Sequence, residues 1–336
     1  MHNRRILILL AVLGTLLGIG LWLKAREEKS LPPEEAAKLL VPADLSLDSL
    51  TALELSVGAP QIPQVRIVKD PAKGWRVASA YDLPADLGRL KRFAGALKGL
   101  TGEERARGEN WFADFGLKDN AVNLTLKQGD KVLSSVSIGR SQKDSVTNFV
   151  HLKEGDAIYS VEPNLLAEVG FWGPVSANEL SSQSWLDLRL LPVEAAELEG
   201  VEIAEWVSRK NKWVVRVERK QPFDQATLDW LSIVKTITAA SALDPKEQAP
   251  KFQPAWRWVF KKKDGAKVEM EEAAARKEDP TLVVRFLPDG PYFSVTAGTL
   301  TQNRQRLLPP PPPPKEKSRS KESKPKPSLK PFSPRR

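Results

Sequence analysis

The chain has 336 residues, 51 Lys and Arg against 42 Asp and Glu, a formal net charge of +9, and no Cys. That length accommodates two domains, and a hydrophobic share of 41% with 28% charged residues is that of a folding, globular protein. The lack of Cys excludes disulfides, Cys-based zinc sites, iron–sulfur clusters, a thiol nucleophile and a lipidated N-terminal Cys. From Pro309 onward nine basic residues face two acidic ones, so the tail carries +7 of the charge and residues 1–308 only +2. Basicity belongs to the tail, which argues against a nucleic-acid reading of the body.

Residues 6–23 (ILILLAVLGTLLGIGLWL) carry no charge. As a helix they reach ~27 Å, near the hydrocarbon thickness of a bilayer. The run ends at Trp22, Leu23 and Lys24 without an A-x-A cleavage pattern, so the expectation is an uncleaved transmembrane helix. Basic residues on its two sides are nearly balanced. The short N-terminal side, residues 1–5, favours an N-terminus inside the cytoplasm and a body outside it. Residues 24–44 contain Pro32, Pro33 and Pro42 and read as a stalk.

Beyond the stalk, two stretches share one order of elements. Strand Leu53-Glu54-Leu55-Ser56-Val57 leads to Val65-Arg66-Ile67-Val68 and then to Gly74-Trp75-Arg76-Val77. Val201-Glu202-Ile203 leads likewise to Trp206-Val207-Ser208 and Lys212-Trp213-Val214-Val215. Each Trp strand precedes an amphipathic helix, with Leu87, Leu90, Phe93, Leu97 and Leu100 on one face in the first stretch and Leu228, Leu231, Val234 and Ile237 in the second. Alternation then places Val122, Leu124 and Leu126 on one strand face, and Trp256, Trp258 and Phe260 on another. A final hairpin closes each stretch, Phe149–Leu152 with Ile158–Val161 and Val283–Phe286 with Tyr292–Val295.

These patterns predict an α+β fold: an N-terminal transmembrane helix, then two tandem repeated domains, 45–175 and 185–305, joined by a linker at 176–184. Each is expected to be an antiparallel sheet with helices packed on one face. Residues 306–336, with six consecutive prolines and a Lys/Ser/Pro continuation, cannot build a packed core and are expected to be disordered.

The chain resembles a family of bacterial envelope proteins known as domain of unknown function family 4340. The residues that carry the resemblance are Gly74-Trp75-Arg76-Val77, Pro84-Ala85-Asp86, Phe115-Gly116-Leu117, Ser137-Ile138-Gly139, Tyr159-Ser160-Val161 and Leu186-Asp187-Leu188-Arg189-Leu190. The likeness covers most of residues 45–205 and the second repeat more loosely. It implies a single-span protein of the bacterial inner membrane with a periplasmic or extracytoplasmic body. It also implies an accessory role beside ABC-type export or gliding-related components. The long Pro/Lys tail departs from the family's pattern.

Candidate chemistry is sparse. Of the two His residues, His2 is terminal and His151 reads as a solvent-facing strand position, so Ser-His-Asp, Cys-His and His-rich metal arrangements are excluded. Glu269, Glu271 and Glu272 read as the start of a solvated charged segment. Gly95, Gly99 and Gly102 lack the strand-to-helix turn of a phosphate loop. Trp256-Arg257-Trp258 beside Lys261-Lys262-Lys263 suggests stacking on a basic patch, but the alternation favours a core face followed by a solvated turn. Asn123-Leu124-Thr125 is a glycosylation sequon in form only, inside a buried strand pattern. The expectation is therefore a non-enzymatic protein with no catalytic, cofactor-binding or metal residues and no cofactor. It would be a membrane-anchored accessory or binding protein with a protein partner in a transport or envelope complex. The alternative is a structural tether whose basic tail binds an anionic envelope polymer. Sequence-specific nucleic acid is not an expected partner.

Overall fold

A computed structural model describes residues 37–58, 62–140, 147–191, 193–274, 280–288 and 290–308. The predicted membrane span at 6–23, most of the stalk and the Pro/Lys tail from residue 309 lie outside the described residues. Among those that are described, no helix is long and apolar enough to cross a membrane.

The first half holds β1 (Lys38–Leu39), β2 (Ala52–Val57), β3 (Val65–Asp70), β4 (Gly74–Val77), β5 (Leu83–Pro84), α1 (Leu87–Leu97), β6 (Thr101–Arg107), β7 (Val122–Gln128), β8 (Lys131–Arg140), β9 (Asn148–Leu152), β10 (Ala157–Val161) and α2 (Leu165–Val169). The second holds β11 (Leu198–Val207), β12 (Lys212–Lys220), α3 (Gln225–Val234), β13 (Ser241–Leu243), α4 (Pro245–Gln248), β14 (Pro254–Lys262), β15 (Lys267–Ala273), β16 (Thr281–Phe286), β17 (Tyr292–Thr296) and α5 (Ala297–Leu307). The strands form two antiparallel sheets in a mixed α+β protein, ordered β1-β6-β10-β9-β8-β7-β2-β3-β4-β5 and β12-β11-β14-β15-β16-β17-β13.

Alternation builds both sheets. Leu53, Leu55 and Val57 of β2 stand opposite Leu126, Leu124 and Val122 of β7, and all six are buried, so one face of the strand pair turns to the core. Helices cover that face. Asp86 caps α1 by accepting from the Arg89 amide, and Leu90, Phe93, Ala94 and Leu97 form its buried stripe. Asp224 caps α3 in the same way through Thr227, and its stripe is Thr227, Trp230, Leu231 and Val234. The expected faces are each rotated slightly: Leu87 and Leu228 are exposed, because Trp230 and Phe93, the bulkiest side chains of the two helices, seat themselves at the centre of the contact. The last helix, α5, arises within the last residues assigned to the second repeat and runs to Leu307, burying Leu300 and Leu307. Residues 306 and 307, assigned to the tail by composition, thus belong to a packed helix.

The strand orders of the two halves can be compared directly. Read inward from β6, the first sheet runs β6-β10-β9-β8-β7-β2-β3; read from β13, the second runs β13-β17-β16-β15-β14-β11-β12. Chain order maps one onto the other strand for strand. The two Trp strands are not equivalent, however. Trp75 lies on β4, two strands out from β2, whereas Trp213 lies on β12, immediately beside β11. The cause is that Val201–Ile203 and Trp206–Val207 form one continuous strand, β11, rather than two. The hairpin β4-β5 is an addition of the first half.

What fastens the halves together is the segment 185–190. Its first residues pair with the first sheet's margin: Asp86 donates its amide to Trp185 O at 2.8 Å and Asp187 to Pro84 O at 2.9 Å. Its last residues pair with the second half: Ala239 donates to Leu188 O at 2.7 Å and Leu190 to Ile237 O at 3.0 Å. Gln183 exchanges two hydrogen bonds with the Ala242 backbone. Trp185 is 0% exposed, edge-on to Phe93 with ring centroids 5.6 Å apart and beneath the Arg89 guanidinium at 4.5 Å. The main hydrophobic cluster accordingly runs from Leu40 through Trp185 to Leu307, and a small second one gathers Leu117, Phe149 and Ile158. Trp185→Ala is expected to cost about 4 kcal/mol and to split urea unfolding into two steps; a single transition at an unchanged midpoint would refute this role.

Candidate functional site

The segment that joins the halves also forms the wall of a groove of about 750 Å³. The lining continues over the neighbouring β4-β5 hairpin and the start of α1 on one flank of the segment, and over Thr238 and Ala239 on the other. Trp75, 7% exposed, lines it. An ion pair is fixed on the wall: Arg189 Nη2 lies 2.6 Å from Asp187 Oδ2, with Arg189 Nε on Oδ1 at 2.9 Å. Donation from Arg189 holds the Asp187 carboxyl below the usual carboxylate range, against the opposing effect of burial. The groove therefore has a largely buried aromatic floor, a charged pair and the exposed Thr238, a lining suited to a polar or extended ligand.

The residues that carry the family resemblance converge here. Gly74-Trp75 and Pro84-Ala85-Asp86 come from one side and Leu186-Asp187-Leu188-Arg189 from the other, about 100 residues apart in the chain. Two other such stretches have a structural explanation. Gly139 passes so close to Phe115 that a Cβ would sit 2.5 Å from the Phe115 carbonyl oxygen, and Gly116, at φ +67°, crosses the Arg140 backbone.

Other positions singled out in the sequence fall as follows. His151 sits half-buried in β9, with Nε2 at 2.8 Å from Gly155 O and its ring 4.5 Å from Phe112. It packs against a neighbour rather than facing solvent freely. The Asn123 amide is occupied, donating to Gly58 O and accepting from Ser137 Oγ at 2.6 Å. Trp258 and Phe260 are core residues at 0% exposure, Trp258 stacked on Trp230 at 5.6 Å. Lys261 and Lys262 pair with Glu202 and Glu197. Among the described residues, no group of three or more His, Cys, Asp or Glu is placed to hold a metal ion.

Glu271 and Glu272 require a correction. They do not begin a solvated segment; both are in β15 and 1% exposed. Glu271 Oε1 accepts from Arg257 Nε at 3.0 Å and Nη2 at 2.6 Å, and Oε2 from Arg285 Nε at 3.1 Å and Nη2 at 2.8 Å. Glu272, on the helix-covered face, accepts from Trp258 Nε1 at 2.5 Å and from Arg304 of α5. Burial pushes the Glu272 carboxyl above its ordinary range, while Arg304 and the indole pull against it. The acidic run misled because its strand is central to the sheet and its counter-charges arrive from β14, β16 and α5, remote in sequence. One signal was available: alternation already placed Arg257 on the face opposite Trp256 and Trp258.

These features define a two-sheet α+β protein with a ligand-sized groove where its halves join. A family model described as "Domain of unknown function (DUF4340)" matches residues 75–251, more than half of the chain, and the protein belongs to that family. No curated protein and no solved structure matches it.

Glu271→Gln leaves two guanidinium groups sharing a neutral partner and is expected to lower stability by about 3 kcal/mol. Glu269→Gln, in the same strand but outside the network, should change it by less than about 0.5 kcal/mol. Urea unfolding followed by Trp fluorescence measures both; equal effects would contradict the assigned network.

Proposed function

We propose that this protein is a non-enzymatic, membrane-anchored accessory or binding protein of the bacterial cell envelope. Residues 6–23 span the inner membrane with the N-terminus inside, and two tandem α+β repeats, 45–175 and 185–305, stand outside the cytoplasm. The partner is a protein of an ABC-type transport or surface complex. The observation that carries this reading is the groove of about 750 Å³, in which family-resembling residues from two distant stretches meet around Trp75 and the Asp187–Arg189 pair. The matching strand order of the two sheets supports the repeat. A tether acting through the basic tail is the competing reading, favoured by the +7 beyond Pro309.

Two experiments separate them. The full chain should fractionate with membranes, and deletion of residues 1–24 should release it. In detergent, capture of partner proteins read by mass spectrometry should be lost in the groove variant Arg189→Glu with Thr238→Trp and retained after truncation at Leu308. Loss on truncation with retention in the groove variant would replace the accessory reading by the tether.

A further inference from the structure

The face of the second sheet opposite Trp258 and Phe260 carries a second arrangement, independent of the groove. Arg257, Glu271, Arg285 and Tyr292 lie side by side across β14, β15, β16 and β17. The same row in the first sheet is Asn123, Ser137, His151 and Ile158, each 134 residues earlier and uncharged apart from the titratable imidazole. A fold that tolerates a neutral row at this place does not need two guanidiniums there to hold its strands.

The geometry of the row points outward. Each guanidinium uses Nε and Nη2 on Glu271; Arg285 is also hydrogen-bonded to the Tyr292 side chain, whereas the Nη1 of Arg257 has no protein partner among the described residues. Each is also backed by a ring: Arg257 by Trp213 at 4.4 Å and Arg285 by Phe252 at 4.9 Å. The two side chains retain 30% and 31% exposure, against 2% for Glu271. One buried carboxylate therefore draws together two cations from strands about 10 Å apart, two strand spacings, and compensates only one of them. Beyond Trp213, the turn at Ser208–Lys210 adds Arg209 and Lys210, both exposed.

We propose that this face binds an acidic saccharide chain. Carboxylates or phosphates on the chain would accept from the free Nη1 edge of Arg257 and from Arg209 and Lys210, and its apolar ring edges would lie along Trp206. Guanidiniums held in a fixed plane suit bidentate or edge-on anion recognition better than mobile lysines do. A stacked nucleobase fits less well, because the Trp213 ring is already occupied by Arg257 and by the Trp206 edge at 5.3 Å. The surface differs from the C-terminal tail in being an ordered arrangement, so its binding should depend on geometry and not on charge alone.

The test uses the full chain in detergent and oligogalacturonate as the probe, with its methyl ester as the neutral counterpart and oligothymidylate as a second polyanion. Arg257→Lys keeps the charge but removes the fork and the stacking, and should weaken oligogalacturonate binding about tenfold. Arg209→Ala with Lys210→Ala, wholly on the surface, should weaken it about threefold without changing the melting temperature. The double variant carries the test by itself if Arg257→Lys lowers the melting temperature. The methyl ester should not bind, and oligothymidylate should bind more weakly than the acid. The proposal is overturned if the variants that fold bind as the parent does, if the ester binds equally, or if oligothymidylate binds as tightly.

Discussion

Six residues of backbone, 185–190, divide their hydrogen bonds between two sheets, and the remainder of the molecule is arranged around that division. On one side the segment extends the first sheet's margin at residues 84–86; on the other it pairs with residues 237–239, just past α3. Trp185 lies buried at the seam, where it joins the underside of α1 to the apolar surface of the second half. Burial of an indole of that size contributes a few kcal/mol, a large fraction of the net stability of a domain. The same constraint creates the groove, since two sheets held by one narrow strap leave a cleft beside it, and the half-buried Asp187 and exposed Arg189 of the strap become part of its lining.

Within this frame, one strand order supports two chemical surfaces. In the first sheet the helix-free face is occupied by small polar pairs such as Asn123–Ser137 and Thr125–Ser135, and by Glu54 between Arg66 and Lys127. In the second, the corresponding row holds Arg257, Glu271 and Arg285 between aromatic rings. The core faces remain interchangeable, Leu124 against Val136 in one and Trp258 against Met270 in the other. Burial restricts what the inner face can be, so divergence is concentrated on the outer one.

Much of this was legible in the residue order. The alternation at Val122, Leu124 and Leu126 and at Trp256, Trp258 and Phe260 placed the core faces correctly, since period-two burial is a local property. The closing hairpins followed from the same pattern. The helices were found with their faces slightly displaced, because three- and four-residue spacing admits neighbouring stripes and only the docking of Trp230 and Phe93 selects one. Two things were not legible. Continuity of β11 through Glu205 depends on its partners β12 and β14, not on its own composition. Burial of Glu271 depends on two arginines each fourteen residues away and on opposite sides, so an acidic run that looks solvated in sequence becomes the centre of a sheet.

The edges of the two sheets differ in a way that bears on mechanics. In the first half β3 is shielded by the added hairpin β4-β5, and that hairpin is the element to which the 185–190 strap is tied. Force applied to the second sheet would thus enter the first through a short laterally bonded strip, which is pulled against several backbone hydrogen bonds at once and not peeled one at a time. Such a seam transmits displacement stiffly. A deflection imposed at β12, the far margin of the second sheet, would be carried as a tilt of the whole body to β1 at the opposite margin of the first, making the molecule a lever whose arm is the combined breadth of both sheets.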